Sequence, residues 1–280
     1  MKSAFLKTPL PAVLLLSVIL TTTSCSRQAK SSRHLVATIE PLHAIVSEVA
    51  GSGWQVSTIV PQGFSPEDYS PSATEMADVA DAMALFQIGR LGFEMVWIPK
   101  AQSTMPSLHV VDTSNGINTA TFDPHSWTSP RNIKVIAANV SHELCHIDSA
   151  HAADYTMRLE NLKAKADSLD STIAQTLRQL PSRSFVITHP ALTHFAADYN
   201  LHQLAIEPDG KEPTPASIQA LIEQAKADGT KVVFVQKEFS DRNARMIARQ
   251  IGATVIDINP LAADWQAQLL HIANSLKNGR

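Results

Sequence analysis

Two histidines in this 280-residue chain sit where the sequence leaves them little freedom. His125 lies in Asp123-Pro124-His125-Ser126-Trp127-Thr128-Ser129-Pro130, between prolines whose rings fix the backbone. Asp123 is placed to orient the ring nitrogen that a bound metal would leave free. His189 lies in Thr188-His189-Pro190, just after the apolar run Phe185 to Ile187. Acidic and amide side chains hold comparable positions. Glu67 and Asp68 fall in the turn-rich loop Pro61 to Pro71, and Asp257 and Asn259 in Val255 to Leu261 share one face of an extended segment by period two. Imidazole nitrogen with carboxylate oxygen makes a mixed N/O donor set for a divalent transition metal, unlike the thiolate sets of structural zinc. Each residue also has a plainer reading, as a solvated acid or a merely polar histidine. Four such segments stand together in this respect, each at or near the exit of a strand, where open parallel sheets place their ligands. His194, five residues after His189 and off its helical face, is expected to be a surface or packing residue.

Short apolar runs supply those strands: Leu35 to Ile39, Val56 to Val60, Ala84 to Ile88, Leu108 to Val111, Phe185 to Ile187, Leu204 to Ile206, Val232 to Val235 and Thr254 to Ile258. Helices fall between them. One opens at Ser72 with Glu75 three residues on, a capping box, and one at Ser129 with Pro130 in its first position. From Asp154 to Leu180 apolar residues recur in steps of three or four (Leu159, Leu162, Ala166, Leu169, Ile173, Leu177, Leu180), which predicts one long helix. The order implies an α/β protein of two lobes, each a mostly parallel sheet flanked by helices, joined by that rigid helix. We place the N-terminal lobe at 34–150, the linking helix at 151–181 and the C-terminal lobe at 182–280.

A net charge of -3 gives no basic field for nucleic acid. Lys2 and Lys7, an apolar run from Pro9 to Leu20 and the small residues before Cys25 form an export signal over 1–24. The run is too short for a comfortable membrane span. Cys25 is the candidate lipidation site and 25–33 a polar tether, although Thr22 stands where bacterial lipoprotein signals usually carry Leu. The only other cysteine, Cys145, falls in a helical apolar pattern and is expected to be a small buried hydrophobe.

At these segments the sequence resembles the metal-binding solute-binding proteins of ABC transporters, of the zinc and manganese type, from about Leu35 to Lys277. Asp123-Pro124-His125-Ser126-Trp127 is close to that family's Asp-Pro-His-x-Trp signature. Pro61 to Pro66, His189 to Ala196, Ile206-Glu207-Pro208 with Pro213, and Asn259-Pro260-Leu261 support it. Two positions depart from the pattern: Glu67 replaces a histidine and Asn259 an aspartate. The His-rich loop of some zinc members is missing between Asp112 and Asp123.

The resemblance implies a metal held in the cleft by Glu67 and His125 from the N-terminal lobe and by His189 and Asp257 or Asn259 from the C-terminal lobe. It implies Zn2+ or Mn2+ as the transported ligand and an ABC transporter permease as partner. The protein is then a monomeric lipoprotein at the cell surface or in the periplasm, held to the membrane by its lipid, and not an enzyme. Two imidazoles favour zinc; a second carboxylate moves the balance towards manganese. The competing readings are a secreted metal-dependent hydrolase, for which no His-Glu-x-x-His or Gly-x-Ser-x-Gly motif is present, and a surface adhesin, for which no separate adhesive segment is present.

Overall fold

The apolar runs and amphipathic segments assemble as two four-stranded parallel sheets with helices packed on them. The computed structural model describes Met1, residues 33–117 and residues 123–279. The export signal, Cys25 and the tether up to Ser32 lie outside the described residues.

In chain order the first half runs β1 (His34–Ala37), α1 (Glu40–Ala50), β2 (Gln55–Thr58), α2 (Ala73–Asp81), β3 (Ala84–Gln87), α3 (Gly92–Thr104), β4 (Val110–Asp112) and α4 (Pro130–Ile147). A long helix α5 (Ala152–Thr176) follows. The second half runs β5 (Ser184–Ile187), α6 (Thr193–Asp198), β6 (His202–Ala205), α7 (Pro215–Ala227), β7 (Val232–Gln236), α8 (Arg242–Ile251), β8 (Thr254–Ile258) and α9 (Trp265–Asn278). The sheet orders are β2-β1-β3-β4 and β6-β5-β7-β8, so the second lobe repeats the topology of the first. β1, β5 and β7 are buried throughout, as strands covered by helices on both faces should be.

Local chemistry sets several element starts. The Ser72 hydroxyl accepts from the Glu75 amide while the Glu75 carboxylate accepts from the Ser72 amide, closing the box that begins α2. Ser129 caps α4 by accepting from the Asn132 amide, and Pro130 fills the position after it. Strand ends shift by one or two residues from expectation, in central β1 as well as at some edges, whereas edge strand β8 falls where expected. β6 begins two residues before the apolar run, at exposed His202, and β4 pairs as Val110–Asp112 rather than from Leu108.

The 25 residues of α5 span about 38 Å at 1.5 Å per residue. Tyr155, Leu159, Leu162, Ala166, Leu169 and Ile173 form its buried stripe, packed on α1 and α4 from the first lobe and on α9 from the second. One hydrophobic cluster therefore runs from Leu35 and Phe86 through Leu162 to Phe185, Phe234 and Ile272. A separate cluster containing Val186, Val233, Val235, Ile222 and Ile247 fills the other face of the second sheet. Cys145 is half-buried against the main cluster with its sulfur 3.7 Å from the Ala152 carbonyl oxygen. Among the described residues no helix is long and apolar enough to cross a membrane.

Because one core passes through both lobes, they should unfold together. Leu162→Ala is expected to cost about 2–5 kcal/mol and to lower Tm by about 4–20 °C, at roughly 2–4 °C per kcal/mol. Calorimetry should show one displaced transition. Two resolved transitions in the parent protein would mean that α5 does not couple the lobes.

Candidate metal centre

Loops from both sheets converge on one point. Glu67 lies in the β2–α2 loop, which docks on the start of α3 through the Phe93 amide donating to the Pro66 carbonyl at 3.2 Å. His125 directly precedes a single 3-10 turn, Ser126–Thr128, that leads into α4. His189 lies two residues beyond β5. Its backbone is clamped by the buried Gln236 at the end of β7: the His189 amide donates to Gln236 Oε1 at 3.0 Å, and Gln236 Nε2 donates to the His189 carbonyl at 3.0 Å. The Phe239 ring stacks on the His189 imidazole, 4.7 Å between centroids and 3° between planes.

The donor atoms form a triangle. His125 Nε2 and His189 Nε2 are 3.3 Å apart, and Glu67 Oε1 is 3.7 Å from the first and 3.8 Å from the second. The circle through three points at those separations has a radius of about 2.1 Å, which is the reach of a zinc bond to imidazole or carboxylate, about 2.0–2.2 Å. Both histidines are buried. Among the described residues, Glu67 Oε1 and His189 Nδ1 are buried atoms without a hydrogen-bond partner, an arrangement that is costly unless the donors serve a ligand. A cleft of about 960 Å³ opens beside the triangle, with Asp68, Pro190 and Glu238 in its walls.

Asp123 sets the orientation of His125. One carboxylate oxygen, Oδ1, accepts from both the His125 amide and His125 Nδ1 at 2.8 Å. An ionised carboxylate only accepts, so Nδ1 carries a proton and Nε2 is the ring nitrogen turned towards the triangle. Oδ2 accepts from the Thr193 hydroxyl of the second lobe at 2.5 Å. Burial works to raise the Asp123 carboxyl, but the bonds and charge of His125, followed by the Thr193 hydroxyl, outweigh it and hold the group down at about 2. Burial, with neighbouring His125 second, pushes His189 down to about 4 against an opposing pull from Asp123. The neutral imidazole that a metal requires is thus the favoured form of His189.

Of the residues singled out in the sequence, Glu67, His125 and His189 come together, and these three are the group whose donor atoms all lie within 4.8 Å of one another. Asp257 and Asn259 do not join them. Asp257 is exposed on β8, in register with Val235 of the cluster on the far face of the sheet; His271 Nε2 donates to its carbonyl, and among the described residues no hydrogen bond or ion pair engages its carboxylate. Asn259 Oδ1 accepts from the Leu261 amide at 3.1 Å, closing its own turn, and the residue lines a separate recess with Glu40 and Pro61. His194 is buried in a polar role: Nε2 donates to the Asp123 carbonyl at 3.0 Å and Nδ1 accepts from Asn132. Gln236 and Thr193 carried no signal in the sequence, being neutral polar residues whose partners are far away in the chain.

Comparison with known proteins gives concordant matches. The model of a family described as zinc-uptake complex component A, periplasmic, matches residues 35–279. Zinc-binding lipoprotein AdcA of Streptococcus pneumoniae is 28% identical over 88% of this chain and 54% of its own length. The chain thus spans about half of that relative. High-affinity zinc uptake system protein ZnuA of Bacillus subtilis is 26% identical over 81% of this chain and 78% of its own. A crystal structure of ZnuA superposes with a TM-score of 0.83 at 32% identity, covering 88% of this chain and 98% of that one. The laminin-binding protein Lmb of Streptococcus agalactiae, described as bifunctional with adhesin and metal transporting activity, superposes at 0.79 with 26% identity, covering 87% and 99%.

The position of Glu67 depends on a glycine in the next layer. A Cβ on Gly92, the first residue of α3, would lie 2.1 Å from the Glu67 carbonyl oxygen, a clash with backbone that only a shift of the loop relieves. Gly92→Ala is therefore expected to cost about 1–3 kcal/mol of stability and, by displacing Glu67, to weaken zinc binding by about tenfold. A titration matching the parent protein would show that the loop moves without carrying the carboxylate away.

Proposed function

Because the chain belongs to the zinc-uptake complex component A periplasmic family, we propose that it captures a divalent transition metal outside the cytoplasm and delivers it to an ABC-type membrane importer. Zinc is the first cargo and manganese the second. The observation that carries this reading is the triangle of Glu67, His125 and His189, three donors drawn from two lobes and spaced as zinc requires. Two imidazoles and one carboxylate favour zinc, and the names of the AdcA and ZnuA relatives agree with it. Bonds to donors in both lobes link them through the metal, giving a partner permease a loaded surface to recognise. Residues 34–150 and 182–280 are the two lobes in this reading, and 151–181 the spacer that holds their distance. Cys25 carries the lipid anchor, as the lipoprotein relative suggests, and residues 1–24 are the export signal.

Ligand that binds only the native state adds RT ln(1 + [L]/Kd), about 4 kcal/mol at a thousandfold excess over Kd. Zinc is thus expected to raise Tm by roughly 8–16 °C. His125→Ala and His189→Ala should each weaken zinc binding by at least about a hundredfold, which at the same zinc concentration leaves about a third of that shift or less. Glu67→Ala should lose less, since water can replace one carboxylate oxygen, and Glu67→His should move the preference further from manganese towards zinc. Equal affinities for the parent and His125→Ala would remove the site.

The anchor is tested separately. Cys25→Ser should release the exported protein from the membrane fraction, and retention there without detergent would rule out a lipid on that residue.

A further inference from the structure

Three donors leave a tetrahedral metal one short; of the two residues that the sequence offers for the fourth place, Asp257 is exposed on β8 and outside the donor group, and Asn259 closes its own turn. We propose that Glu238 supplies it. The proposal rests on the reading of Glu67, His125 and His189 as metal ligands.

Glu238 sits in a tight turn at the exit of β7, closed by the Phe239 amide donating to the Gln236 carbonyl at 3.1 Å. Both ends of that turn are fastened to His189. Gln236 holds the His189 backbone by two hydrogen bonds, and Phe239 stacks on its ring. Glu238 is therefore carried on a segment registered against one of the three donors, on the second lobe, which otherwise contributes His189 alone. It lines the narrow recess shared by Glu67, His125 and His189 as well as the open cleft beside it.

The other carboxylates of the cleft are less suited. Asp123 is committed to His125 and Thr193. Asp68 is exposed and borders only the open cleft. Glu238 is half-buried, and no hydrogen bond or ion pair engages its carboxylate among the described residues. It lies outside the group of atoms within 4.8 Å of one another, and rotation about its side-chain torsions is the movement that brings it to the metal. A β7–α8 turn thus replaces the β8–α9 loop as the source of the last donor. The site then has two ligands from each lobe.

Cobalt(II) reports directly on the donor atoms, because a coordinated thiolate adds an intense sulfur-to-metal charge-transfer band that nitrogen and oxygen ligands lack. The experiment loads the purified protein, Glu238→Cys and Glu238→Gln with cobalt and follows with zinc competition. The expected result is a charge-transfer band in Glu238→Cys that the parent, which already contains Cys145, does not show. Zinc affinity of Glu238→Gln should fall by roughly tenfold to a hundredfold, while that of Asp257→Asn stays with the parent. If the parent and Glu238→Cys bind cobalt with identical spectra, Glu238 is out of reach and water completes the site. If the parent itself binds neither cobalt nor zinc, the three-ligand reading falls and the proposal with it.

Discussion

The carboxylate of Asp123 is the point on which the site turns. It receives the amide and ring nitrogen of His125 on one oxygen and the Thr193 hydroxyl, from the opposite lobe, on the other. The first pair of bonds fixes the tautomer and rotation of the imidazole; the third ties that orientation to the second sheet. Nearby contacts extend the tie. Trp127 Nε1 donates to the Pro260 carbonyl at 2.8 Å, and the Ser129 hydroxyl donates to Asp198 at 2.5 Å. The segment carrying His125 is therefore fastened across the cleft on both sides of the ligand. A hydrogen bond of this kind contributes about 1 kcal/mol net to stability, so its larger consequence is positional: donors from separate sheets stay within bonding reach of a single ion.

Such proximity is unfavourable without compensation. Burial and the neighbouring ring depress His189 to about 4, and its Nδ1 has no hydrogen-bond partner among the described residues. The backbone clamp from Gln236 and the stack on Phe239 hold the residue in place regardless. They act on the main chain and on the ring face, leaving Nε2 free. His125 is held differently, through its other ring nitrogen. The two ligands thus reach the same geometry by different means, one by a charged hydrogen bond and the other by packing.

Much of this was legible in the chain. The capping box at Ser72, the Pro130 start of α4 and the stripe of α5 are local patterns, and they form where local physics puts them. Asp123, His125, His189 and Glu67 could be singled out because each stands in a turn or strand exit of restricted backbone. Asp257 and Asn259 show the limit. Period two would give them a shared face, but β8 ends at Ile258, so Asn259 falls in the turn beyond it, and where Asp257 points depends on the register with β7, which is a long-range fact. Gln236 and Thr193 were invisible for a related reason, since an amide or hydroxyl gains its role only from a partner distant in sequence. The matching strand order of the two sheets was likewise hidden, as it resides in crossovers rather than in repeated residues.

The division of labour between helix and loops follows from what each can supply. A strand exit fixes a residue's backbone but leaves its side chain exposed at the sheet edge; a loop can bring the side chain inward but needs something rigid behind it. Here the rigid element is α5 with the continuous core around it, and the loops are pinned one by one, by α3 against Glu67, by Asp123 against His125 and by β7 against His189. A flexible hinge would let the triangle spread, and a donor set that spreads loses selectivity for ion size as well as affinity. Holding the lobes through a packed helix meets the ordering cost in the fold instead of at the moment of binding, which is the physical meaning of preorganisation.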